Sequence, residues 1–427
     1  AGIVVPAPSS YGRVADSRRL LLQSILTGVA LVVGGIDAHA AITTAGDNVI
    51  DSGGLTAIGV RAYGSLEVTA PDVFAAQRLY VGDTAGGVGD VLIDNATIEV
   101  EDARIGNLGS GVLRVRSGGQ FLATNAQDGH SIGARGVGYL DIDGTGSIAD
   151  FTLPSAPWNS SRVYVGGGSS GAVARGEVRI TGGGEWRTEE TLLGQGGSAS
   201  VLIDGQGSRW LVHGNVSAGA ADLIVSGGAR VLSTGSGQPS PSLDVGSGGL
   251  ASTLIVEGAG TSVSGFEWMN LGREGTGVAY VSKGADVTTA LTTLGGFPFQ
   301  QTLEQQPTGV LSLDGLGTTW TTRGLLLGGM DGRAELHLSG GAAMNLIGDF
   351  NDLLIAEGER SEAIVTIDGS TTRLASGDSR LVVGSSGRGE LRLSGGARSS
   401  HREIQLGSAF SLGGGGFVEG NGVGTAL

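Results

Sequence analysis

Two short stretches decide the fold of this chain: VLIDGQGSRW, residues Val201–Trp210, and LIVSGGARV, residues Leu223–Val231. Each is a short apolar run that leads directly into a glycine-rich turn. In the related stretch LRVRSGGQF, Leu113 and Val115 alternate with arginines, which is the two-residue period of a β-strand with one buried and one solvated face. The Asp or Ser that opens each turn can bond backbone N–H groups two residues on, and the glycines can take positive φ. The sequence therefore predicts short strands joined by tight turns.

Relatives of both stretches recur and alternate along the chain. The Asp-Gly type returns as YLDIDGTGSIADF, LIVEGAGTSVSGF, LSLDGLGTTW, IVTIDGSTTRL and FVEGNGVGTAL, and the Ser-Gly-Gly type as VRITGGGEW, AYVSKGADV, LHLSGGAAM and LRLSGGARS. Successive acidic residues of the first type are 53, 57, 54 and 51 residues apart at Asp204, Glu257, Asp314, Asp368 and Glu419. A period of this size is typical of solenoids. We expect an all-β fold, a right-handed parallel β-helix (β-solenoid) with about two coils in each repeat of 51–61 residues.

The composition excludes several other classes of protein. The chain has 427 residues, of which 82 are glycine and none is cysteine, and its formal net charge is −15. Without cysteine there is no disulfide, thiol nucleophile or cysteine-ligated zinc. The acidic balance and the scattered arginines argue against nucleic acid as a partner. Stability must then come from burial and backbone pairing.

The N-terminal segment has the pattern of a secretory signal peptide. Arg18 and Arg19 precede the apolar run 20–36, and Ala38-His39-Ala40 supplies a small-x-small cleavage site. We expect residues 1–40 to be the signal peptide with an upstream extension, 41–78 an N-terminal cap with the first coils, and 79–427 the repeat region. A membrane anchor is the alternative for the apolar run, although no basic cluster follows it.

The alternating VSGGAxV and VDGxGSxW units, joined by VGxxGxGxLxVSGG junctions and preceded by a signal peptide, resemble the passenger domain of bacterial autotransporters. The resemblance covers the chain from about Leu79 onward. It implies a β-helical rod exported through the periplasm and displayed on, or released from, the surface of a Gram-negative bacterium. It also implies a C-terminal outer-membrane barrel in cis, which is expected beyond Leu427 because the sequence stops inside a repeat. The implied partners are proteins or glycans of a host cell or a neighbouring cell.

The repeated acidic residue invites a catalytic interpretation, which we weighed against a role in the turn. A residue that recurs in every unit of one type is typical of turns, so we expect Asp204 and its equivalents to be structural. A polysaccharide lyase or glycoside hydrolase built on a β-helix is the alternative, since such enzymes gather carboxylates from neighbouring coils. Carboxylates on every second coil would be ~9.6 Å apart along the stack, too far for a retaining pair and just beyond the usual inverting separation.

No cofactor or metal site is expected, and calcium bound by the repeated aspartates is the alternative. The nonapeptide repeat that binds calcium in other β-solenoids is absent, and the histidines that follow the signal peptide, His130, His213, His337 and His401, are far apart in sequence. We therefore expect no enzymatic activity. The remaining interpretations are an adhesive or structural rod and a non-adhesive extracellular matrix protein.

Ligand-binding candidates come from irregular segments that interrupt the repeat. FTLPSAPWNSS contains Trp158, and GGFPFQQTLEQQPTG contains Phe297 and Phe299, whose apolar faces are candidates for contact with a sugar or a protein. The alternative is that these segments cover the edge of the coils. Trp186, Trp210 and Trp320 follow the turns at repeat positions, so we expect them to pack in the core.

Overall fold

The structure is a computed structural model that describes residues 42–50, 54–124, 129–152, 161–167, 174–235, 240–296, 306–329, 332–347, 353–375, 379–407 and 415–421. All secondary structure elements in these ranges are β-strands, 39 in number. They form three stacked ladders, named ladder 1, ladder 2 and ladder 3 in the order in which the chain visits them in each coil. The prediction of an all-β parallel β-helix is confirmed. The right-handed winding stays a prediction.

Ladder 1 is a 15-stranded sheet made of the strands that carry the alternating pattern. Its strands are Ile42–Gly46, Tyr63–Thr69, Val88–Asp94, Ser110–Arg116, Val137–Asp143, Arg175–Thr181, Ser198–Asp204, Ala221–Ser226, Ala251–Glu257, Thr276–Ser282, Thr308–Asp314, Arg333–Ser339, Glu362–Asp368, Arg388–Ser394 and Gly415–Gly420.

Ladders 2 and 3 form one 24-stranded sheet because four long strands pass through both. The shared strands are Val73–Val81, Thr97–Ile105, Ser262–Leu271 and Asp286–Leu294. Ladder 2 also contains Gln120–Ala123, Ile148–Phe151, Glu185–Thr188, Arg209–Val212, Arg230–Ser233, Thr319–Thr322, Ala343–Leu346, Arg373–Ala375 and Arg398–Ser400. Ladder 3 also contains Asn48–Ile50, Leu55–Ile58, His130–Ile132, Arg162–Val165, Glu190–Leu193, Val216–Ala218, Ser242–Val245, Gly324–Leu327, Leu353–Ile355, Arg380–Val383 and Glu403–Leu406.

The pairing is parallel throughout the described strands except at the N-terminal end. There, Ile42–Gly46 runs antiparallel to Tyr63–Thr69, and Asn48–Ile50 runs antiparallel to Leu55–Ile58. From that point each strand pairs with its equivalent one coil further on. An antiparallel strand at the end of a parallel stack covers backbone groups that would otherwise form an open edge.

The core is a set of columns of inward-facing side chains. In ladder 1, Leu113 stands in register with Val91 before it and Leu140 after it, and all three are fully buried or nearly so. The alternation read from the sequence is the alternation of burial along each strand, as in Ser110–Arg116. Stacking of equal side chains on successive coils thus gives a continuous apolar interior.

The junctions between coils explain the glycines of the VGxxGxG pattern. Gly106, which follows ladder 3, has φ +71, and a Cβ there would collide with the backbone of Val137 on the next coil. Gly111, the second residue of its ladder 1 strand, lies against the backbone of Val81 and Gly106. Positions in register with Gly111 hold only small residues: Gly64, Gly89, Gly138, Gly176, Ala199, Ala221, Ser252, Gly277, Gly309, Ala334, Ala363, Gly389 and Gly416.

Candidate functional site

The repeated acidic residue lies where ladder 1 turns toward ladder 2. Asp204 ends its strand and stands in register with Ser226 on the next coil. Ser226 Oγ donates a hydrogen bond to Asp204 Oδ1 at 2.7 Å, and the backbone N–H of Gly205 donates to Ser226 O at 3.2 Å. The carboxylate therefore joins two coils. The sequence predicts a bond to a backbone N–H two residues on, whereas the partner in the structure is the hydroxyl of the turn on the next coil, because strict register brings that hydroxyl within reach.

The same carboxylate–hydroxyl bond recurs along the stack, and we call it the coil clasp. Equivalent bonds at 2.6–2.7 Å run from Thr181 to Asp143, from Ser339 to Asp314 and from Ser394 to Asp368. The Asp-Gly motif thus supplies the acceptor of each clasp, and the Ser-Gly-Gly type of motif on the next coil supplies the donor. Their alternation along the chain follows from the need of each acidic turn for a hydroxyl turn on the next coil.

A second hydroxyl fixes the acidic turn to the coil before it. Ser208 Oγ accepts a hydrogen bond from the backbone N–H of Gly183 at 3.1 Å, and Ser208 is 1% exposed. Its equivalent Thr261 accepts from Gly228 N and donates to the carbonyl of Glu257, both at 2.9 Å. When a buried hydroxyl both donates and accepts a hydrogen bond, these bonds offset its desolvation cost and leave a small net gain in stability.

Glycine is required beside the clasp for two reasons. Gly227 has φ +64, and a Cβ there would lie 2.6 Å from Asp204 Oδ1. On the coil that follows Glu257, the equivalent position holds Lys283, with φ +57. Lys283 Nζ donates to Glu257 Oε2 at 2.6 Å. Between these two coils, the ion pair of Glu257 and Lys283 takes the place of the carboxylate–hydroxyl bond of the coil clasp.

These contacts bear on the hydrolase alternative. Asp204 and Glu257 are separated by the intervening strand of Ser226, so like carboxylates occur on every second coil, as the spacing predicts. The clasp places a hydroxyl, rather than a second carboxylate, next to each acid. This arrangement lacks the neighbouring carboxylate that a general acid–base pair uses.

The histidines lie on different coils. His130 is buried in ladder 3, where its Nδ1 accepts from Ala103 N at 3.3 Å and its ring meets the edge of Phe151 at 5.2 Å. Burial lowers the pKa of His130 to about 4. Burial likewise lowers the pKa of His401 to about 4. His213 and His337 are exposed or partly exposed on other coils.

The three tryptophans at repeat positions are fully buried, as expected for packing residues. Trp186 and Trp210 stack in register, with ring centroids 4.6 Å apart. Trp210 Nε1 donates to Thr188 Oγ1 at 2.9 Å, and Trp320 Nε1 donates to Thr292 Oγ1 at 3.0 Å. The inward threonines thus serve as acceptors for indole N–H groups.

The ligand-binding candidates Trp158, Phe297 and Phe299 lie outside the described residues, and so does the predicted signal peptide, 1–40. Within the described ranges there is no group of three or more His, Asp or Glu residues placed to hold a metal ion. None of the described elements is an apolar helix long enough to span a bilayer.

No family model matches the sequence, and no curated protein matches it. The chain is similar to the solved structure of the TibC-catalyzed hyper-glycosylated TibA55-350 fragment, with 16% identity and a TM-score of 0.40 over 83% of this chain and 99% of that one. The glycosylation in that title is a property of the TibA fragment.

One further feature was not predicted from the sequence. It is an open groove of about 500 Å³ at the corner between ladders 2 and 3. Its lining includes Glu267 and Arg323, neither of which belongs to a motif. The signal that could have found it is the uneven length of the connections between these ladders. Arg323 alone separates two strands, whereas 234–241 and 347–352 separate the equivalent strands of flanking coils.

Proposed function

We propose that this chain is a secreted or cell-surface rod, the passenger of a bacterial autotransporter, that acts in adhesion or as a structural element and has no catalysis of its own. The observation that supports the proposal is the coil clasp. The repeated carboxylates, which are the natural candidates for acid–base chemistry in a β-helix, are engaged in bonds between coils at Asp143, Asp204, Asp314 and Asp368.

Ion pairs on the outer faces of ladders 2 and 3 support the same proposal. In ladder 2, Arg187 Nη1 lies 3.1 Å from Asp150 Oδ2, and Arg187 and Arg209 both pair with Glu185. In ladder 3, Arg273 Nη1 lies 2.6 Å from Asp244 Oδ2. These charges are paired between or within coils and make a regular surface. A scaffold of this kind suits display of a binding surface at a distance from the cell.

The proposed partners are proteins or glycans on a host cell or a neighbouring cell. The test uses fluorescent beads coated with the purified chain, with beads coated with the heat-unfolded chain as the matched control. We expect the native beads to bind epithelial cells or sibling bacteria above the control. We also expect antibody against the chain to label intact bacteria that carry the whole gene.

Three outcomes separate the alternatives. Bead binding together with surface labelling supports the adhesive rod. Surface labelling without bead binding to either cell type contradicts adhesion and favours the matrix protein. Release of oligosaccharides from polysaccharide substrates by the purified chain contradicts the proposal as a whole.

A further inference from the structure

The first strand of ladder 2 has one unpaired side among the described residues. The two antiparallel cap strands lie on ladder 1 and ladder 3. Ladder 2 begins with residues 73–76, which pair with residues 97–100 of the next coil. Among the described strands none pairs with the other side of residues 73–76, because Leu55–Ile58 meets this strand from Arg78 onward. We call residues 73–76 the open edge.

The register shows which backbone groups of the open edge point away from the stack. Thr97 N donates to the carbonyl of Asp72 at 2.9 Å. In a parallel ladder the backbone groups of successive residues face alternate neighbours, and those of Asp72 face the next coil. The N–H and C=O groups of Val73 and Ala75 therefore point the opposite way. They are placed to pair with an added strand.

The side chains of the open edge show that the apolar core ends there. Phe74 is partly exposed, whereas Ile98, in register with it on the next coil, is fully buried. Ala76 is likewise partly exposed above the buried Val100. Val73 is 58% exposed. An added strand with apolar residues opposite Phe74 and Ala76 would extend both core columns by one layer.

The end of the stack fits a single strand better than the end of a second rod. The end strands have seven residues in ladder 1 and four each in ladders 2 and 3, which at ~3.3 Å per residue gives sides of about 23, 13 and 13 Å. These sides and their side chains cover on the order of a few hundred Å². A standard interface buries ~800 Å² per partner, so this end is too small for a stable contact between two rods.

An exposed carboxylate specifies the residue that an added strand presents on the outer face. Ala75 is in register with Glu99 on the next coil. Glu99 is exposed and has no side-chain hydrogen bond or ion pair with the part of the chain that the structure describes. Two coil steps of ~4.8 Å put a residue opposite Ala75 ~9.6 Å from Glu99, and the single methyl group of Ala75 lies between them.

A long basic side chain spans this distance. The stack already contains a bridge over two coils, since Gln195 Nε2 donates to Ser247 Oγ at 3.0 Å. An arginine or a lysine opposite Ala75 has at least the reach of that glutamine and carries the charge that complements Glu99.

We propose that the open edge binds an extended segment of a partner protein in which a basic residue lies between two apolar residues. The apolar pair covers Phe74 and Ala76, and the basic residue faces Glu99. The inference rests on the proposed function, because it supplies a recognition surface for an adhesive rod. In this mode of recognition the main-chain hydrogen bonds provide affinity and the alternate side chains provide specificity.

The test measures binding of two fluorescein-labelled, amidated peptides, Ser-Val-Arg-Val-Ser and Ser-Val-Glu-Val-Ser, to the purified full chain by fluorescence anisotropy. We expect the arginine peptide to bind roughly twofold to fivefold more tightly than the glutamate peptide, the range that a partly exposed ion pair supports. Glu99→Lys should reverse this ranking. Asp222→Lys is the matched control, a charge reversal at an exposed ladder 1 position on a distant coil, and should leave the ranking unchanged.

A second variant tests the backbone of the open edge. Ala75→Pro removes an N–H that faces the added strand and leaves the bonds of the open edge to the next coil in place. It should weaken both peptides about fivefold, the equivalent of one hydrogen bond. The urea midpoint of Ala75→Pro should equal that of the wild type, which separates loss of binding from loss of the fold.

Absence of binding of the arginine peptide at millimolar concentration overturns the inference, and so does binding that neither Glu99→Lys nor Ala75→Pro alters. A dimer of the purified chain that Ala75→Pro dissociates also overturns it, since the occupant is then a second copy. Tighter binding of a peptide of this chain's own residues 33–40 overturns it as well, since the occupant is then a segment of the same chain.

The bead assay separates failure of this inference from failure of the proposed function. Beads that carry Glu99→Lys or Ala75→Pro and adhere normally refute the open edge as a recognition surface and leave adhesion standing. The predicted peptide ranking without bead adhesion refutes adhesion alone.

Discussion

The coil clasp leads to a double-mutant cycle on Asp204 and Ser226. Asp204→Ala removes the acceptor of the 2.7 Å bond, Ser226→Ala removes its donor, and the double variant removes both. Asp222→Ala is the matched control, because Asp222 is an exposed ladder 1 aspartate one coil away from Asp204. The cycle isolates the energy of the pair from the separate effects of each truncation.

The expected magnitude follows from one hydrogen bond at a partly exposed position. A charged acceptor strengthens such a bond, but solvent access at the turn reduces the gain, so the coupling should be about 1 kcal/mol. Solenoid stability is nearly a sum of contacts between neighbouring repeats. The loss should therefore be confined to the coils of Asp204 and Ser226 and should be absent from the Asp314 clasp.

Amide hydrogen exchange reads this local effect. In Asp204→Ala, peptides that span 202–210 and 224–232 should exchange about fivefold faster, the equivalent of about 1 kcal/mol. A peptide that spans 311–320 is the internal reference and should not change. The reasoning is refuted if exchange around Asp204 equals that of Asp222→Ala, or if the two single substitutions add with no coupling.

Three further predictions concern the core. Burial lowers the pKa of His130 from 6.5 to about 4, so His130 binds a proton more readily in the unfolded chain. The stability that neutral His130 contributes is therefore complete above pH 6.5 and is lost as the pH falls toward 4, by about 3 kcal/mol in all. Urea midpoints at pH 7 and pH 4.5 should differ less in His130→Phe than in the wild type, and equal differences would contradict this. Thr188→Val leaves the buried indole N–H of Trp210 without its 2.9 Å acceptor and should cost about 1–3 kcal/mol in urea unfolding, unlike Thr253→Val at a partly exposed position. Gly277→Ala forces a Cβ against the backbone of Val245 and should cost about 1–3 kcal/mol, whereas Gly415→Ala, with open space around it, should be near neutral. Similar melting curves for these two variants would refute the close backbone approach at Gly277.

The parts of the fold that repeat could be predicted from the sequence. The alternation around Leu113 identifies an inward column, and the recurrence of Asp204 in each unit of its type identifies a turn, because both are local patterns that the solenoid copies from coil to coil. The same logic placed Trp186, Trp210 and Trp320 in the core. The periodicity of the sequence predicts the inward column, the turns and the buried tryptophans without any knowledge of contacts between coils.

The remaining features depend on contacts between coils, which a local pattern does not specify. The partner of Asp204 is Ser226, 22 residues away, and the choice between that hydroxyl and a local N–H is made by register. His130 is buried because Phe151 packs against it from the next coil. Glu267 and Arg323 line one groove because register places their corners two coils apart along the stack.

The most direct test of the central claim, that the repeated carboxylates hold coils together and perform no chemistry, is a depolymerisation assay on the purified wild-type chain and on the triple variant Asp204→Asn, Asp314→Asn and Asp368→Asn. Reducing ends and unsaturated uronates released from a panel of polysaccharides would be measured alongside the urea midpoint of each protein. The account predicts that neither protein releases products and that the variant unfolds at a lower urea concentration. Product release by the wild type that the variant loses, with no change in its urea midpoint, would contradict the account.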